Sequence, residues 1–264
     1  MPEAGAASQA TFRFYAELND FLPEGNRQSE LIHAFIGSPR VKDAIESFGV
    51  PHVEVDLILA NGISVDFDYR LGADDRIAVY PVFESVNVSP AVRLQGRPLR
   101  RTAFLLDVHL RRLARWLRLL GFDASCPRDE DDARLARRSV DEGRILLTRD
   151  RELLKRGELT HGYWVRATDP RRQIVEILRR FDLVGDERPF TRCPTCNGLL
   201  AEVPKGEVLE RIPPRTAAWL DRYVRCSSCD KLFWQGTHHA RLGRAIAEVL
   251  AEAGAAGPGA DQRS

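Results

Sequence analysis

Residues 102–123 read TAFLLDVHLRRLARWLRLLGFD, and the interpretation of the whole chain starts from this stretch. An uninterrupted apolar run, Ala103 to Leu106, ends on an acid, Asp107. Such a run without polar alternation is typical of a strand buried on both faces in a parallel sheet. The carboxyl ends of these strands are where open α/β sheets bind their ligands. We therefore expect Asp107 to belong to a functional site.

The residues after Asp107 predict an amphipathic helix. Leucines recur at helical spacing on one side, and arginines occupy the other faces. The leucines are Leu110, Leu113, Leu117 and Leu120, and the arginines are Arg111, Arg112, Arg115 and Arg118. Gly121 is the expected left-handed stop of this helix. The pattern predicts that the leucines pack on the sheet beside the strand.

The composition is that of a soluble globular chain, long enough for more than one domain. Its 264 residues are 44% hydrophobic and 29% charged. No apolar run approaches the roughly 20 residues of a membrane span, and no signal peptide is recognised, so a cytoplasmic protein is expected. Residues 1–90 hold 6 Lys and Arg against 14 Asp and Glu, whereas residues 91–264 hold 33 against 24. This asymmetry indicates an acidic module joined to one that meets nucleic acid.

The acidic part of the chain has the element order ββαβββ, which predicts a β-grasp domain. The predicted strands are Ala10 to Leu18, His33 to Ile36, Val53 to Leu59, Ser64 to Phe67 and Arg76 to Val82, with a helix from Val41 to Phe48. Asn61-Gly62 is a strong signal for a hairpin turn.

Two segments of this module, VKDAIESFGVPHVEVDLILANG and DRIAVYPVFE, resemble the ubiquitin-like domain found ahead of some bacterial Mut-seven C-terminal RNase domains. They are also similar to the small sulfur carriers of molybdopterin and thiamine synthesis. Those carriers need a terminal Gly-Gly, and the sequence contains no Gly-Gly pair. A docking or regulatory module with a protein partner is therefore favoured over sulfur transfer.

Further acids follow Asp107 at comparable positions. Ile145 to Leu147 is a second buried-strand pattern, and it too ends on a polar corner with an acid, Thr148-Arg149-Asp150. The run 129–132, DEDD, precedes a predicted helix from Ala133 to Glu142. Acids at a helix start have an ordinary explanation, since they cap free backbone amides. Parallel strands that end in acids can also bring carboxylates together, where Mg²⁺ or Mn²⁺ relieves their repulsion and activates a water for phosphodiester hydrolysis.

The segments FLLDVHLRRLARWLRLLGFD, EGRILLTRDRELL, RCPTCNG and FWQGTH resemble the Mut-seven C-terminal RNase domain, a PIN-like nuclease. The resemblance implies a PIN-like α/β fold and a metal-dependent endoribonuclease acting on RNA, expected to be single-stranded. It implies catalytic, metal-binding roles for Asp107, Asp132 and Asp150, with Asp131 the runner-up for the middle position. Asp169 is a weak candidate for a fourth acid. Arg115, Arg149 and Arg151 are the candidate substrate-binding residues.

Two CxxC pairs near the end of the chain predict a structural zinc ribbon. Their members are Cys193, Cys196, Cys226 and Cys229. Four thiolates meet the tetrahedral demand of Zn²⁺ and leave no open position for catalysis. The histidine of the WQGTH segment, His238, is not needed as a ligand and has RNA contact or support of the ribbon as its open roles.

The ribbon also carries aromatic and basic residues with two open interpretations. Aromatic side chains at Tyr223, Phe233 and Trp234, near Arg222, Arg225 and Lys231, form either a stacking surface for single strands or the ribbon's small core.

The predicted fold class is α/β and α+β, in five segments. These are a ubiquitin-like β-grasp domain over 1–85, a linker over 86–100, a PIN-like parallel-sheet domain over 101–188, a zinc ribbon over 189–241, and a helix with a disordered tail over 242–264. A non-catalytic RNA-binding adaptor is the alternative function. Salt-sensitive RNA binding without metal-dependent cleavage would favour it.

Overall fold

A computed structural model describes residues 7–81 and 102–255. These residues fall into two compact units, one formed by residues 7–81 and 130–164 and the other by residues 102–129 and 165–255. The predicted linker and most of the predicted tail lie outside the described residues. No helix in the described part of the chain is long and apolar enough to cross a membrane.

The N-terminal sheet has the predicted β-grasp topology. Its elements are β1 (Ser8–Phe14), β2 (Leu31–Phe35), α1 (Val41–Ser47), β3 (Val55–Ala60), β4 (Ile63–Val65) and β5 (Arg76–Pro81). The strand order is β2-β1-β5-β3-β4, with β1 and β5 parallel and the outer pairs antiparallel. The predicted ubiquitin-like fold class is confirmed.

The core of this sheet is aromatic and aliphatic. Phe12 and Phe14 alternate inward along β1, and the ring of Phe48, at the end of α1, lies 5.3 and 5.4 Å from theirs. Val41 and Ile45 of α1 are fully buried against the same cluster. A core of this size gives the module a source of stability that needs no metal.

The turn between β3 and β4 has the conformation that Asn-Gly predicts. Asn61 and Gly62 both have positive φ, at 51° and 84°, as a type I′ turn requires. The Asn61 amide also donates to Asp75 Oδ1 at 2.8 Å, while its oxygen accepts from the Arg76 amide at 2.9 Å. The turn is therefore tied to the start of β5.

Strands and helices alternate from residue 102 onward. The elements are β6 (Ala103–Leu106), α2 (Arg111–Leu119), β7 (Asp123–Ser125), α3 (Asp132–Asp141), β8 (Ile145–Thr148), α4 (Arg151–Leu154), β9 (Gly162–Trp164) and α5 (Pro170–Arg180). In one unit β6 pairs in parallel with β7, and in the other β8 pairs in parallel with β9. Parallel strands linked through helices confirm the predicted α/β class.

Helix α2 departs from its predicted pattern at one residue. All four predicted leucines are buried, and Arg111, Arg112 and Arg115 are exposed. Arg118, however, is only 7% exposed, and its guanidinium donates to the carbonyls of Ala124 at 2.7 Å and Thr195 at 3.0 Å. Burial lowers the pKa of Arg118. This arginine joins the helix to β7 and to the first cysteine pair and does not face solvent as predicted.

The C-terminal segment is a small antiparallel sheet followed by a long helix. Its elements are β10 (Leu200–Val203), α6 (Lys205–Val208), α7 (Pro214–Ala217), β11 (Tyr223–Cys226), β12 (Leu232–Trp234) and α8 (Thr237–Gly254). The order is β10-β11-β12. Helix α8 starts five residues before the predicted Leu242, because the first turn, THHAR, lacks the apolar periodicity that marked the helix.

Candidate functional site

Asp107 lies at the corner that follows β6. All four residues of β6 are buried, and Asp107 is half-buried. Its backbone is extended, and Oδ1 accepts from the His109 amide at 3.2 Å, which caps the short 3-10 helix Val108–Leu110. The Asp107 carbonyl also lies 3.7 Å from the Cys126 thiol, whose pKa is raised by burial. A buried strand therefore delivers this carboxylate, as predicted from the sequence.

Asp150 lies at the equivalent corner after β8. Its amide donates to Thr148 Oγ1 at 3.0 Å, and its Oδ1 accepts from the amides of Glu152 at 2.8 Å and Leu153 at 3.5 Å. Asp150 thus caps α4. Its side chain is exposed, and among the described residues Oδ2 accepts no hydrogen bond. One carboxylate oxygen is fixed by the backbone, and the other is open to a ligand.

Two neighbouring acids at the start of α3, Asp131 and Asp132, have different structural roles. Asp131 is the N-cap, and its Oδ1 accepts from the Arg134 amide at 2.8 Å. Asp132 is the first helical residue and does not serve as the cap. Both side chains are exposed. The capping role therefore falls to Asp131, the runner-up, and not to Asp132, and the choice between the two as metal ligand stays a prediction.

Asp169, the weak candidate for a fourth acid, is the N-cap of α5. Its Oδ1 accepts from the amides of Arg171 at 3.0 Å and Arg172 at 3.1 Å. This cap gives Asp169 a structural role of the same kind as that of Asp150, and its candidacy as a fourth acid stays a prediction.

The three predicted catalytic acids do not all fall in one unit. Asp132 and Asp150 belong to the first unit and Asp107 to the second. Across the described residues, the one group of three or more metal-type side chains whose ligand atoms lie within reach of a single ion is formed by the cysteines. A shared site for the three acids stays a prediction.

Two of the predicted substrate-binding arginines, Arg149 and Arg151, flank Asp150. The Arg149 side chain is exposed, and its carbonyl accepts from the Trp164 indole at 3.3 Å. The Arg151 guanidinium lies 3.9 Å from the centroid of Trp164 and 5.2 Å from that of Phe21. It also donates to the carbonyls of Asp20 at 3.1 Å and Phe21 at 3.3 Å. Arg151 therefore anchors the Asp150 corner to the ubiquitin-like module.

A second set of contacts joins the same two segments within this unit. The buried His52 ring bonds the Leu159 carbonyl through Nε2 at 3.0 Å and Glu46 through Nδ1 at 2.6 Å. The buried Glu54 carboxylate accepts from the Trp164 amide at 2.6 Å. Sequence reasoning missed these anchors, because a histidine and a glutamate in an apolar segment carry no signal of a distant partner.

The four cysteines converge at the ribbon. Their sulfur atoms all lie within 4.8 Å of one another, with Cys193 and Cys229 at 3.7 Å and Cys196 and Cys226 at 3.4 Å. Two thiolates on a tetrahedral Zn²⁺ would be about 3.8 Å apart, so the spacing fits this metal.

The ionisation of the thiols supports the same conclusion. Burial opposes the charged form of Cys226, but the backbone amides of Cys229 and Ser228 and the neighbouring thiols lower its pKa to about 7. Burial and the neighbouring thiols raise the pKa of Cys196 to about 12. Four sulfurs this close cannot all ionise without a cation, and metal binding releases their protons.

The two cysteine knuckles share one backbone design. The residue after each second cysteine, Asn197 or Asp230, has a positive φ, at 75° and 57°. Its amide donates to the carbonyl of the first cysteine, at 3.0 and 3.1 Å. Gly198 is required next to the sulfurs, because a Cβ there would lie 2.8 Å from Cys226 Sγ and 2.4 Å from Ser228 Oγ. The backbone of both knuckles therefore fits the convergence of the four sulfurs.

The aromatic residues of the ribbon separate into two groups. Tyr223 is 1% exposed and belongs to the ribbon core with Val203, Val208 and Ile212, as the second interpretation predicted. Phe233 and Trp234 are half-buried. Trp219, which the sequence analysis did not select, is 61% exposed. A lone tryptophan between polar residues carries no periodic signal, so its position emerges only from the fold.

The predicted basic partners also separate. Arg225 faces Glu207 at 3.9 Å and Asp230 at 3.8 Å, and Lys231 donates to Thr195 at 3.3 Å. Arg222 instead lines a groove with Trp219 and Trp234. His238 lies exposed in the first turn of α8 and lines the same groove.

These features define a β-grasp module and an α/β domain that carries a four-cysteine ribbon. The family profile described as the Mut7-C RNAse domain matches residues 102–246, and the profile described as Mut7-C ubiquitin matches residues 7–87. Since the first match covers more than half of the sequence, the chain belongs to the Mut7-C RNAse domain family, and the resemblance found in the sequence is confirmed. No curated protein is significantly similar in sequence to this chain.

Proposed function

We propose that the chain is a metal-dependent ribonuclease that hydrolyses single-stranded RNA at Asp107, Asp132 and Asp150. The observation that carries the proposal is the pair of acids that end buried parallel strands, Asp107 after β6 and Asp150 after β8. The match to an RNAse domain over the same residues supports it. The three carboxylates supply the hard oxygen ligands that Mg²⁺ and Mn²⁺ prefer.

The protein's part in this chemistry is to hold carboxylate oxygens in place. The amides of Glu152 and Leu153 fix Asp150 through Oδ1, and Thr148 Oγ1 fixes its backbone. The oxygen Oδ2 is left for a cation. A bound Mg²⁺ or Mn²⁺ would lower the pKa of a water and stabilise the charge that develops on the phosphate.

The cysteine ribbon and the ubiquitin-like module complete the proposal. Zn²⁺ at the four cysteines is structural, because four protein ligands leave no open position. Elemental analysis is expected to find one zinc per chain in the wild type. Cys226→Ser should lose this zinc. Cysteines in CxxC pairs that hold a metal, and not disulfides, fit the reducing cytoplasm. Within the first unit, Arg151, His52 and Glu54 join the ubiquitin-like module to residues 151–164, and a protein partner would bind elsewhere on the module.

The test is cleavage of a 5′-labelled single-stranded RNA with Mn²⁺. Wild-type protein is expected to cut, and Asp107→Asn and Asp150→Asn to lose on the order of a thousandfold in rate, equivalent to about 4 kcal/mol of transition-state stabilisation. Asp141→Asn is the matched control, since Asp141 is an exposed acid at the end of α3. Cleavage that persists unchanged in both corner variants would contradict the assignment. RNA binding without any cleavage would favour the adaptor function.

A further inference from the structure

A groove in the C-terminal segment has no role in the proposed metal site. It has a volume of about 550 Å³, and all of its lining residues belong to one unit. Helix α2, the ribbon sheet, the Trp219 turn and the first turn of α8 contribute to its walls. The lining includes Arg115, Phe190, Trp219, Arg222, Trp234 and His239. We refer to this feature as the ribbon groove.

We propose that the ribbon groove binds unpaired bases of an RNA strand. This inference rests on the proposed function, because it assigns the strand to the RNA that the acids would cleave. Three features of the groove support RNA as its ligand: the exposed aromatic rings, the sign of the charge, and the start of α8.

The aromatic rings of the groove are accessible to a flat ligand. Trp219 is 61% exposed and lines the groove, so much of its side chain is accessible to a flat ligand. Trp234 and Phe233 are half-buried on β12 and present partly open rings in the same groove. Base stacking on such rings tolerates every base, as a nuclease of broad specificity requires.

The charge of the groove lining favours an anionic ligand over a cationic one. The charged side chains that line the groove are Arg115, Arg192 and Arg222 against the single acid Glu202. Arg192 is paired with Asp123 at 3.3 Å and serves the fold. Arg115 and Arg222 are exposed. A basic rim beside aromatic rings is the arrangement that tracks a phosphate backbone while bases stack.

The start of α8 adds a further preference for phosphate. Its first residues, 236–239, line the groove, and the N-cap, Gly236, offers no side chain to the free amides of the first turn. The helix is 18 residues long, so the positive end of its dipole is fully developed there. An anion in the groove would meet these amides and Arg222 together. A neutral apolar peptide would leave both without a partner.

The test is RNA binding by the full chain in an Asp107→Asn background, without added Mg²⁺ or Mn²⁺. A fluorescein-labelled single-stranded RNA of mixed sequence is titrated and followed by anisotropy. Trp219→Ala and Arg222→Ala are each expected to raise Kd about tenfold, and Trp219→Phe to retain most of the affinity. The matched controls are Leu209→Ala and Arg215→Ala, an exposed apolar residue and an exposed arginine of the same segment outside the groove.

The salt dependence separates stacking from phosphate contact. Arg222→Ala should reduce the slope of log Kd against log salt concentration by about 0.7, the value for one phosphate of a single strand, whereas Trp219→Ala should leave the slope unchanged. If both groove variants bind as their controls do, or if the chain binds no RNA, the proposal is overturned. A peptide or another segment of this chain would then be the ligand to test.

The failure of this proposal is distinguishable from failure of the nuclease. A chain that cleaves RNA with kcat/KM unaffected by Trp219→Ala keeps its catalytic assignment and loses the groove. A chain that binds RNA through Trp219 and Arg222 but never cleaves keeps the groove and becomes an adaptor.

Discussion

The corners at Asp107 and Asp150 have similar sequence patterns, but the two acids differ in exposure and in how they cap the following helix. Each acid follows four buried residues of a parallel strand and precedes a short helix. Asp107 is half-buried and accepts one cap bond, at 3.2 Å. Asp150 is exposed and accepts two, the shorter at 2.8 Å. The comparison teaches that a candidate ligand can also be a helix cap, so its removal changes stability and function together.

The surroundings of the corners differ as well. The residue after Asp150, Arg151, is bound to the ubiquitin-like module by ring contacts and two carbonyls. At the other corner, the Asp107 carbonyl lies against the Cys126 thiol, within its own unit. The Asp150 corner is therefore connected directly to the ubiquitin-like module through Arg151.

The first prediction compares the two neighbouring acids before α3, of which one caps the helix and the other is the predicted metal ligand. Asp132→Asn should lower the cleavage rate on the order of a hundredfold, because it removes a ligand charge without touching the cap. Asp131→Asn should cleave almost as wild type does, since asparagine caps a helix as well as aspartate. Cleavage rates at saturating Mn²⁺ measure both. Equal losses in the two variants would end the assignment of Asp132 as third ligand.

The second prediction concerns the anchor beside Asp150. Arg151→Ala should lower the free energy of unfolding by about 2 kcal/mol, because it removes a cation–π contact and charged hydrogen bonds to Asp20 and Phe21. Arg134→Ala, at an exposed position of the same unit, should change it by less than about 0.5 kcal/mol. Urea unfolding followed by tryptophan fluorescence provides the measurement. A destabilisation of the same size in both variants would show that Arg151 is not an anchor.

The β-grasp order, the two buried strands and the four cysteines were predictable because each follows from local pattern. The alternation of apolar and polar residues predicted β1, and the Asn61-Gly62 pair predicted the turn between β3 and β4. The CxxC spacing predicted the convergence of the four cysteines. The burial of Arg118 was not predictable, because its partners are carbonyls of β7 and of the first knuckle, distant in sequence.

The same distinction applies to the candidate site. The positions of Asp107 and Asp150 at strand ends were predictable from the strand patterns. The different roles of Asp131 and Asp132 could be assigned only from the N-cap of α3 in the structure. Arg151 and Trp219 show the general difficulty. A charged or aromatic residue in a polar stretch has no periodicity, and only the fold reveals whether a ring, a carbonyl or solvent lies beside it.

The third prediction separates the two tasks of Asp150. Asp150→Ser keeps a side-chain oxygen for the cap of α4, whereas Asp150→Ala removes it, so the alanine variant should be less stable by about 1 kcal/mol. Neither variant should cleave RNA, because neither carries a carboxylate. Urea unfolding and cleavage assays on the same preparations test both statements. A serine variant that cleaves would remove Asp150 from the metal site.

The smallest effect is expected from the same exchange at the other corner. The cap bond of Asp107 is 3.2 Å long and serves a three-residue 3-10 helix, so its loss should make Asp107→Ala less stable than Asp107→Ser by less than about 0.5 kcal/mol. Both should nevertheless lose cleavage as Asp107→Asn does. Removal of the cap would then destabilise the protein more at Asp150 than at Asp107, while cleavage would be lost at both. This is the result expected if both acids bind the metal and Asp150 makes the larger contribution to helix capping. A larger Ser-to-Ala difference in stability at Asp107 than at Asp150 would contradict this prediction. It would mean that the partial burial of Asp107 matters more for stability than the cap hydrogen bonds.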